Sequence, residues 1–201
     1  PLALIELSRS QRIEILIELR EVTEGSGIAL ILDERYAAYR WGIDDGRDLE
    51  ALRPDLLVYG ESLADGLPLG VLTGENAWFA GIDIRRFEEA THLQNNLAMV
   101  AASATLEATP QQQLRQWVTQ TARWIEKINP AMQALEAPLA VHRLGTLFTI
   151  KVSKDPSQAE LLESEMILHG VRLSASSPNA TTLSHTEKDL AQVLAALEDS
   201  V

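Results

Sequence analysis

Two acidic residues, Asp33 and Glu34, directly follow the unbroken apolar run IALIL at residues 28–32. A charge-free run of this length is typical of a β-strand that is covered on both faces, as in a parallel sheet. Ligand groups of open α/β sheets collect at the carboxyl ends of strands, where a carboxylate can be held beside a ligand. Glu61 follows a second apolar run, residues 56–59, in the same way. Composition alone favours a plainer interpretation, in which such acids lie in water or cap a turn.

Three other kinds of residue that could bind a ligand or a metal do not predict a catalytic or metal site. The segment GIDDGRD at residues 42–48 lacks the oxygen spacing and final glutamate of a calcium loop, which favours a solvated turn. The tryptophans Trp117 and Trp124 are seven residues apart and indicate a packing or subunit-contact stripe, not a platform for stacking bases. The histidines show no metal-ligand spacing and are interpreted as structural or surface residues: His92, His142, His169 and His185.

Composition and charge exclude several classes of function. The 201 residues include 17 basic and 29 acidic side chains, a formal charge of -12, which disfavours nucleic acid and anionic membranes as partners. The absence of cysteine excludes disulfides, thiolate metal sites and a cysteine nucleophile. No apolar run approaches the roughly 18 residues of a membrane span, and the first residues do not have the order of a signal peptide. We expect a soluble, cytoplasmic protein.

The order of helix and strand signals around these acids predicts part of an open α/β sheet. Amphipathic spacing predicts a helix over residues 11–23, with Ser8 and Gln11 as its capping box and Gly25 or Gly27 as its end. Strands are predicted at residues 28–32, 56–59 and 69–72.

The remainder of the chain is predicted as helices followed by a small α+β region. One helix begins after Asn95 or Asn96, and a long amphipathic helix begins at Thr109 and Pro110, with Pro130 kinking or dividing it. Thr186 and Asp189 predict a capping box for the last helix. The other predicted elements are strands at 139–143, at 146–152, near Val171 and near Thr182, and a helix at 156–168. The expected domains are residues 1–108, a connecting helix 109–137, and residues 138–201.

Five segments in order resemble the motifs of class III aminotransferases, which are pyridoxal-phosphate enzymes of the glutamate-1-semialdehyde aminomutase type. The segments are GIALILDERYAAYR, PDLLVYGESLADGLPLGVLTG, THLQNNLAMVAASATLE, VHRLGTLFTIKV and TLSHTEKDLAQVLAAL. The resemblance implies an α/β fold: a truncated large domain of the fold type I pyridoxal-phosphate transferases, followed by a small α+β domain. The YG and LPLG around position 61 are most similar to aminotransferase domains embedded in polyketide and nonribosomal peptide synthases.

The resemblance also assigns residues, position by position. Asp33 matches the aspartate that pairs with the pyridine nitrogen, and Thr91 matches the threonine that reaches the cofactor phosphate of the other subunit. Glu61 stands where the family has the lysine that forms the Schiff base, and a carboxylate has no amine with which to form an imine. None of the chain's lysines lies in the three segments that carry Asp33, Glu61 and Thr91; they are Lys127, Lys151, Lys154 and Lys188.

Positions near Glu61 and Thr91 also differ from the family's motifs. The triple glycine after the lysine reads Ala64, Asp65 and Gly66, and Ala90 replaces the glycine before the phosphate threonine. Asn95 and Asn96 stand in place of an Asn-Pro pair. Side chains therefore occupy places where the family's backbone must approach a ligand closely.

These departures and the length, about half that of the family's enzymes, predict a non-catalytic remnant without a cofactor. Its expected role is a structural, dimerisation or docking module, either as a homodimer or docked on another segment of a larger biosynthetic protein, since the family folds as a two-fold dimer. Two alternatives stay open. One is a protein that binds pyridoxal phosphate, pyridoxamine phosphate or another metabolite through Asp33 and Glu61; the other is half of a split transaminase.

Overall fold

The computed structural model describes residues 9–38, 40, 52–83, 95–152 and 155–200. They cluster into two compact units. The described part of the first unit comprises residues 9–38, 52–83 and 95–113, and that of the second comprises Arg40 and residues 114–152 and 155–200. Six features of the sequence named so far lie outside the described residues: Ser8, the segment 42–48, Ala90, Thr91, His92 and Lys154.

The first unit begins with helix α1, Arg9–Gly25. The helix ends as predicted, because Gly27 adopts a positive φ of 64° and the Ile28 N–H reaches back to the Thr23 carbonyl at 2.9 Å. Leu16 is buried, whereas four other apolar residues of the helix are exposed: Ile15, Ile17, Leu19 and Val22. The broad apolar face that the sequence predicts is therefore only partly covered by the described chain.

Three strands form the sheet of the first unit, in the order β1 (Ile31–Asp33), β2 (Leu56–Tyr59) and β3 (Val71–Gly74). Strands β1 and β2 pair in parallel, with Ile31 opposite Leu56 and Asp33 opposite Val58. Strand β3 is antiparallel to β2 and begins two residues later than predicted, because Val71 is the partner of Tyr59.

The prediction that the first strand is covered on both faces is wrong for the described chain. Ile31 is 55% exposed, and Ile28, which precedes the strand, is also exposed. Only three residues of the apolar run and its flank pair as strand, so the run marks the position of β1 but overstates its length and burial.

Two further helices complete the first unit: α2 (Asn76–Phe79) and α3 (Asn96–Ala108). The Asn95 side chain caps α3 by accepting the Ala98 N–H at 3.2 Å, as the sequence predicts. Ala98 and Ala102 pack with Ala64 in a small buried cluster. Ala64 ends the short 3-10 helix Glu61–Ala64, which follows β2.

The second unit is organised around helix α4, Gln111–Ala134, which begins one residue after the predicted start at Pro110. Pro130 lies inside the helix and does not divide it. Trp124 packs edge-on against Phe148 at a ring-centroid distance of 5.4 Å and donates its indole N–H to the Leu190 carbonyl. The Trp117 indole N–H donates to the Thr181 hydroxyl, so both tryptophans contribute to packing.

The other elements of the second unit surround this helix. They are β4 (Leu139–Leu144), β5 (Leu147–Val152), α5 (Pro156–Leu168), β6 (Asn179–Ala180) and α6 (Glu187–Asp199). The three strands form an antiparallel sheet in sequence order. The Thr186 capping box is confirmed, and Leu190 and Leu197 of α6 are buried in the core. The strand predicted near Val171 is absent from the described residues, and the one predicted near Thr182 is found at Asn179–Ala180.

Within the described ranges, no helix combines the length and the apolar character that crossing a bilayer requires.

Candidate functional site

The acids after β1 and β2 lie at the same edge of the sheet. Parallel pairing aligns the two carboxyl ends, and the Glu34 N–H extends the pairing by donating to the Val58 carbonyl at 2.7 Å. Asp33 is the last residue of β1, and Glu61 begins the 3-10 helix directly after Gly60. The sequence prediction that both acids occupy strand ends is therefore correct.

Arg35 takes both oxygens of the Asp33 carboxylate. Its Nε lies 3.0 Å from each oxygen, its Nη2 donates to Oδ2 at 2.6 Å, and its backbone N–H donates to Oδ1 at 3.0 Å. These hydrogen bonds stabilise the charged carboxylate and lower the pKa of Asp33 to about 2. The side chains of Arg35 and Asp33 are 64% and 49% exposed, so the pair lies at the surface of the described chain.

Residues after β2 hold the stem and backbone of Arg35. The Ser62 hydroxyl donates to the Arg35 carbonyl at 3.2 Å. Gly60 lies so close to Arg35 that a Cβ built on the glycine would stand 3.2 Å from the arginine Cβ. The pKa of the Arg35 guanidinium is raised, first by its hydrogen bonds and charge interaction with Asp33 and then by the charge of Glu61.

Glu34 and its neighbour Asp33 differ in solvent exposure. Glu34, which follows the last residue of β1, is buried, whereas the Asp33 side chain is half exposed. Burial raises the pKa of the Tyr59 phenol, and the negative charge of Glu34 raises it further. The acidic pair that the sequence singles out therefore consists of two residues in different surroundings.

The other candidates from the sequence are Thr91 and the histidines. Thr91 lies outside the described residues, so nothing places it relative to Asp33. The described histidines form no metal-ligand group, and no cluster of three potential ligands occurs among the residues that the structure describes. His185 has a local role, since its Nδ1 accepts the Thr182 N–H at 2.8 Å.

Arg35 is a residue of this site that neither the spacing nor the motifs of the sequence indicate. The signal was present as an arginine two residues after Asp33. The class III segment that GIALILDERYAAYR resembles, alhliFDEVxtGFR, has a valine at this position. A pairing between residues i and i+2 in a turn leaves no periodic pattern, so an analysis based on spacing and motifs passes over it.

The comparisons with known proteins agree on one group. The glutamate-1-semialdehyde 2,1-aminomutase of Limosilactobacillus reuteri is 29% identical over 204 residues, covering 92% of this chain and 47% of the relative. An Exiguobacterium sibiricum protein of the same name, with the suffix 2, is 28% identical over 196 residues, covering 90% and 45%. The internal aldimine form of the FumI protein from Sphingopyxis sp. MTA144 superposes with a TM-score of 0.80 at 22% identity, covering 94% and 46%. No family model matches the chain.

The proteins to which the chain is similar in sequence and in fold are class III aminotransferases. Its fold is that of the fold type I pyridoxal-phosphate transferases over part of their length. The chain spans about half the length of the curated relatives it matches. The residues present at the edge do not fit pyridoxal phosphate bound as an imine. Arg35 already occupies the Asp33 carboxylate, position 61 carries a carboxylate, and no lysine precedes Lys127 in the sequence.

Proposed function

We propose that this relative of the class III aminotransferases is non-catalytic and acts as a dimer-forming structural module. The observation that carries the proposal is the closed ion pair of Asp33 with Arg35 beside Glu61. A site of this kind offers no amine for imine formation and no unoccupied carboxylate for a ring nitrogen.

Helix α3 supports a dimer because its surface is apolar nearly all round. Its only charged residue is Glu107, and a helix of that composition is ordinarily covered on most of its faces. In the described chain only the Ala98 and Ala102 strip of the helix is buried, while Leu97 and Val100 are each 68% exposed. We propose a second copy as the cover, since an isologous interface lets one apolar patch bury itself against its own copy.

The proposed setting is a larger polyketide or nonribosomal peptide biosynthetic protein. The support is the sequence around position 61, with Tyr59 and Gly60 before it and the segment LPLG at residues 67–70 after it. In that setting the dimer joins two copies of the larger protein, and the acidic surface keeps the assembly in solution.

The dimer is tested by light scattering on the chain and on two variants. We expect the unsubstituted chain to be a dimer and the double variant Leu97→Asp and Val100→Asp to be a monomer, because buried carboxylates oppose the interface. The control is Leu168→Asp at the end of α5, another exposed leucine, at 79% exposure, which we expect to stay dimeric. A stable monomer of the unsubstituted chain contradicts the dimer.

The absence of catalysis is tested by chemical trapping. The chain is incubated with pyridoxal phosphate, reduced with borohydride, digested and mapped by mass spectrometry. We expect no saturable adduct, because every lysine lies in the sequence from Lys127 onward, outside the motifs that carry the cofactor in the family. A single lysine labelled to saturation, and protected by pyridoxamine phosphate, contradicts the proposal and favours a cofactor-binding protein. Amino transfer after addition of a complementary half favours a split transaminase.

A further inference from the structure

We propose that Arg35 blocks the Asp33 site. Its guanidinium occupies the position on the Asp33 carboxylate that a heteroaromatic cation from outside the chain would otherwise take. This inference rests on the proposed non-catalytic function and assigns the closure to one residue.

The geometry of the pair carries the first step. Three side-chain N–O contacts of 2.6 to 3.0 Å and one backbone N–H cover both oxygens of Asp33. Hydrogen bonds between two charged groups are the strong ones, and an arginine fork matches the two oxygens of a carboxylate. A ring nitrogen with a single N–H offers one such contact and must displace several.

The second step is that the competition is intramolecular. Arg35 is two residues from Asp33, and a ligand tethered this closely acts at an effective concentration of about millimolar or above. The Ser62 hydroxyl bond to the Arg35 carbonyl and the close approach of Gly60 restrain the arginine at the strand end. An external cation therefore competes with a partner that is always present.

The third step links Arg35 to the residue at position 61. The negative charge of Glu61 favours the guanidinium, whereas a lysine at the same position would repel it. The glutamate at position 61 and the arginine at position 35 are therefore complementary. Each departs from the class III motif, and together they form a site that is electrostatically satisfied without a ligand.

The probe is pyridoxamine, which carries a pyridine ring nitrogen but no aldehyde and no phosphate. The missing aldehyde prevents imine formation with surface lysines, and the missing phosphate avoids repulsion by a chain of net charge -12. Binding is followed by NMR titration of the backbone amides of Asp33 and Gly60. Benzylamine, which has the ammonium group but no ring nitrogen, is titrated in parallel.

Four proteins are compared: the unsubstituted chain, Arg35→Gln, Arg53→Gln and the double variant Asp33→Asn with Arg35→Gln. Arg53 is the matched control, because it is an exposed arginine of the first unit that pairs with Glu24 at 3.3 Å. We expect Arg35→Gln to bind pyridoxamine about tenfold or more tighter than the unsubstituted chain, since the competing fork is removed. We expect no gain in Arg53→Gln and loss of the gain in the double variant.

Three results overturn the inference. The first is equal affinity of Arg35→Gln and the unsubstituted chain for pyridoxamine, including no binding by either. The second is a gain in pyridoxamine affinity that persists in the double variant, which lacks the Asp33 carboxylate. The third is an equal gain in affinity for benzylamine. Thermal melting of Arg35→Gln against Arg53→Gln checks the fold. The proposed function fails on different readouts, a saturable lysine adduct or a monomeric chain, so the two failures are distinguishable.

Discussion

Gly60 lies against the side-chain stem of Arg35, and a Cβ built on Gly60 would stand 3.2 Å from the arginine Cβ and 3.3 Å from its Cγ. The close approach arises because the parallel strands β1 and β2 end at the same edge and continue side by side. The φ of Gly60 is −128°, which any residue adopts, so a larger side chain at this position would be opposed by crowding and not by backbone conformation.

Alanine at Gly60 is expected to change stability little. The stem of an exposed arginine yields by a few tenths of an ångström, and the loss of glycine freedom in the unfolded chain offsets the crowding, so the expected change is within about 1 kcal/mol. Gly74→Ala is the matched comparison. Its Cβ would meet the Asp55 carbonyl oxygen at 2.5 Å, and backbone in a paired strand does not yield as a side chain does.

We expect Gly74→Ala to destabilise the chain by about 1–3 kcal/mol, as overpacking does elsewhere. Urea unfolding of both variants measures the difference. A larger cost for Gly60→Ala than for Gly74→Ala would mean that the Arg35 stem is more rigid than the β2–β3 pairing.

The Asp33 carboxyl is expected to titrate with a pKa of about 2 in the folded chain and to return toward 3.8 in Arg35→Gln. The folded value lies below the unfolded one, so the stabilisation is fully present above about 3.8 and is lost as the pH falls through 2. The effect on stability is small and weakens in salt, because the pair is exposed.

NMR titration of the side-chain carboxyls measures this shift. Asp155 is the internal control, since its pKa is lowered by hydrogen bonds from Ser157 and not by an arginine. An Asp33 pKa that does not move in Arg35→Gln would show that the fork does not form in solution.

The sequence predicts elements where a repeated local signal exists. Residues 56–59 are a strand and Pro156–Leu168 a helix at the predicted bounds, because a charge-free run and a capped apolar spacing each mark both ends of an element. The direction of β3 was not predictable, since an apolar strand reads the same whether its partner runs parallel or antiparallel. Burial of β1 depends on what covers the sheet, which a local pattern does not contain.

The sequence likewise predicts one part of the candidate site and not the other. The positions of Asp33 and Glu61 at strand ends follow from the apolar runs that precede them. What the two residues do there depends on Arg35, whose contact with Asp33 is a matter of turn geometry and rotamer. Motif comparison indicates that Glu61 is a departure from the family, and the structure adds a nearby positive charge with which that departure is compatible.

Removal of the Thr186 hydroxyl is expected to weaken helix α6. The hydroxyl accepts the Asp189 N–H at 3.4 Å, and the Asp189 carboxylate accepts the Thr186 N–H at 2.7 Å, which together form the capping box. Thr186→Ala is expected to cost about 0.5–2 kcal/mol, and Thr186→Ser, which keeps the hydroxyl, is expected to cost much less. Thermal melting measures both. Equal losses in the two variants would assign the effect to the lost methyl group and not to the cap.

Ile128→Ala is expected to destabilise the second unit strongly. Ile128 is fully buried on α4, in the cluster that also contains Trp124, Phe148 and Leu197, so truncation leaves a cavity worth about 2–5 kcal/mol. The control is Leu168→Ala, at an exposed position, where we expect a change within about 0.5 kcal/mol. Urea unfolding followed by tryptophan fluorescence measures both, since Trp124 lies in the same cluster. If Ile128→Ala and Leu168→Ala have equal free energies of unfolding, Ile128 is not part of the core of this unit. The apolar face of α4 would then pack against other residues than those of the cluster around Trp124.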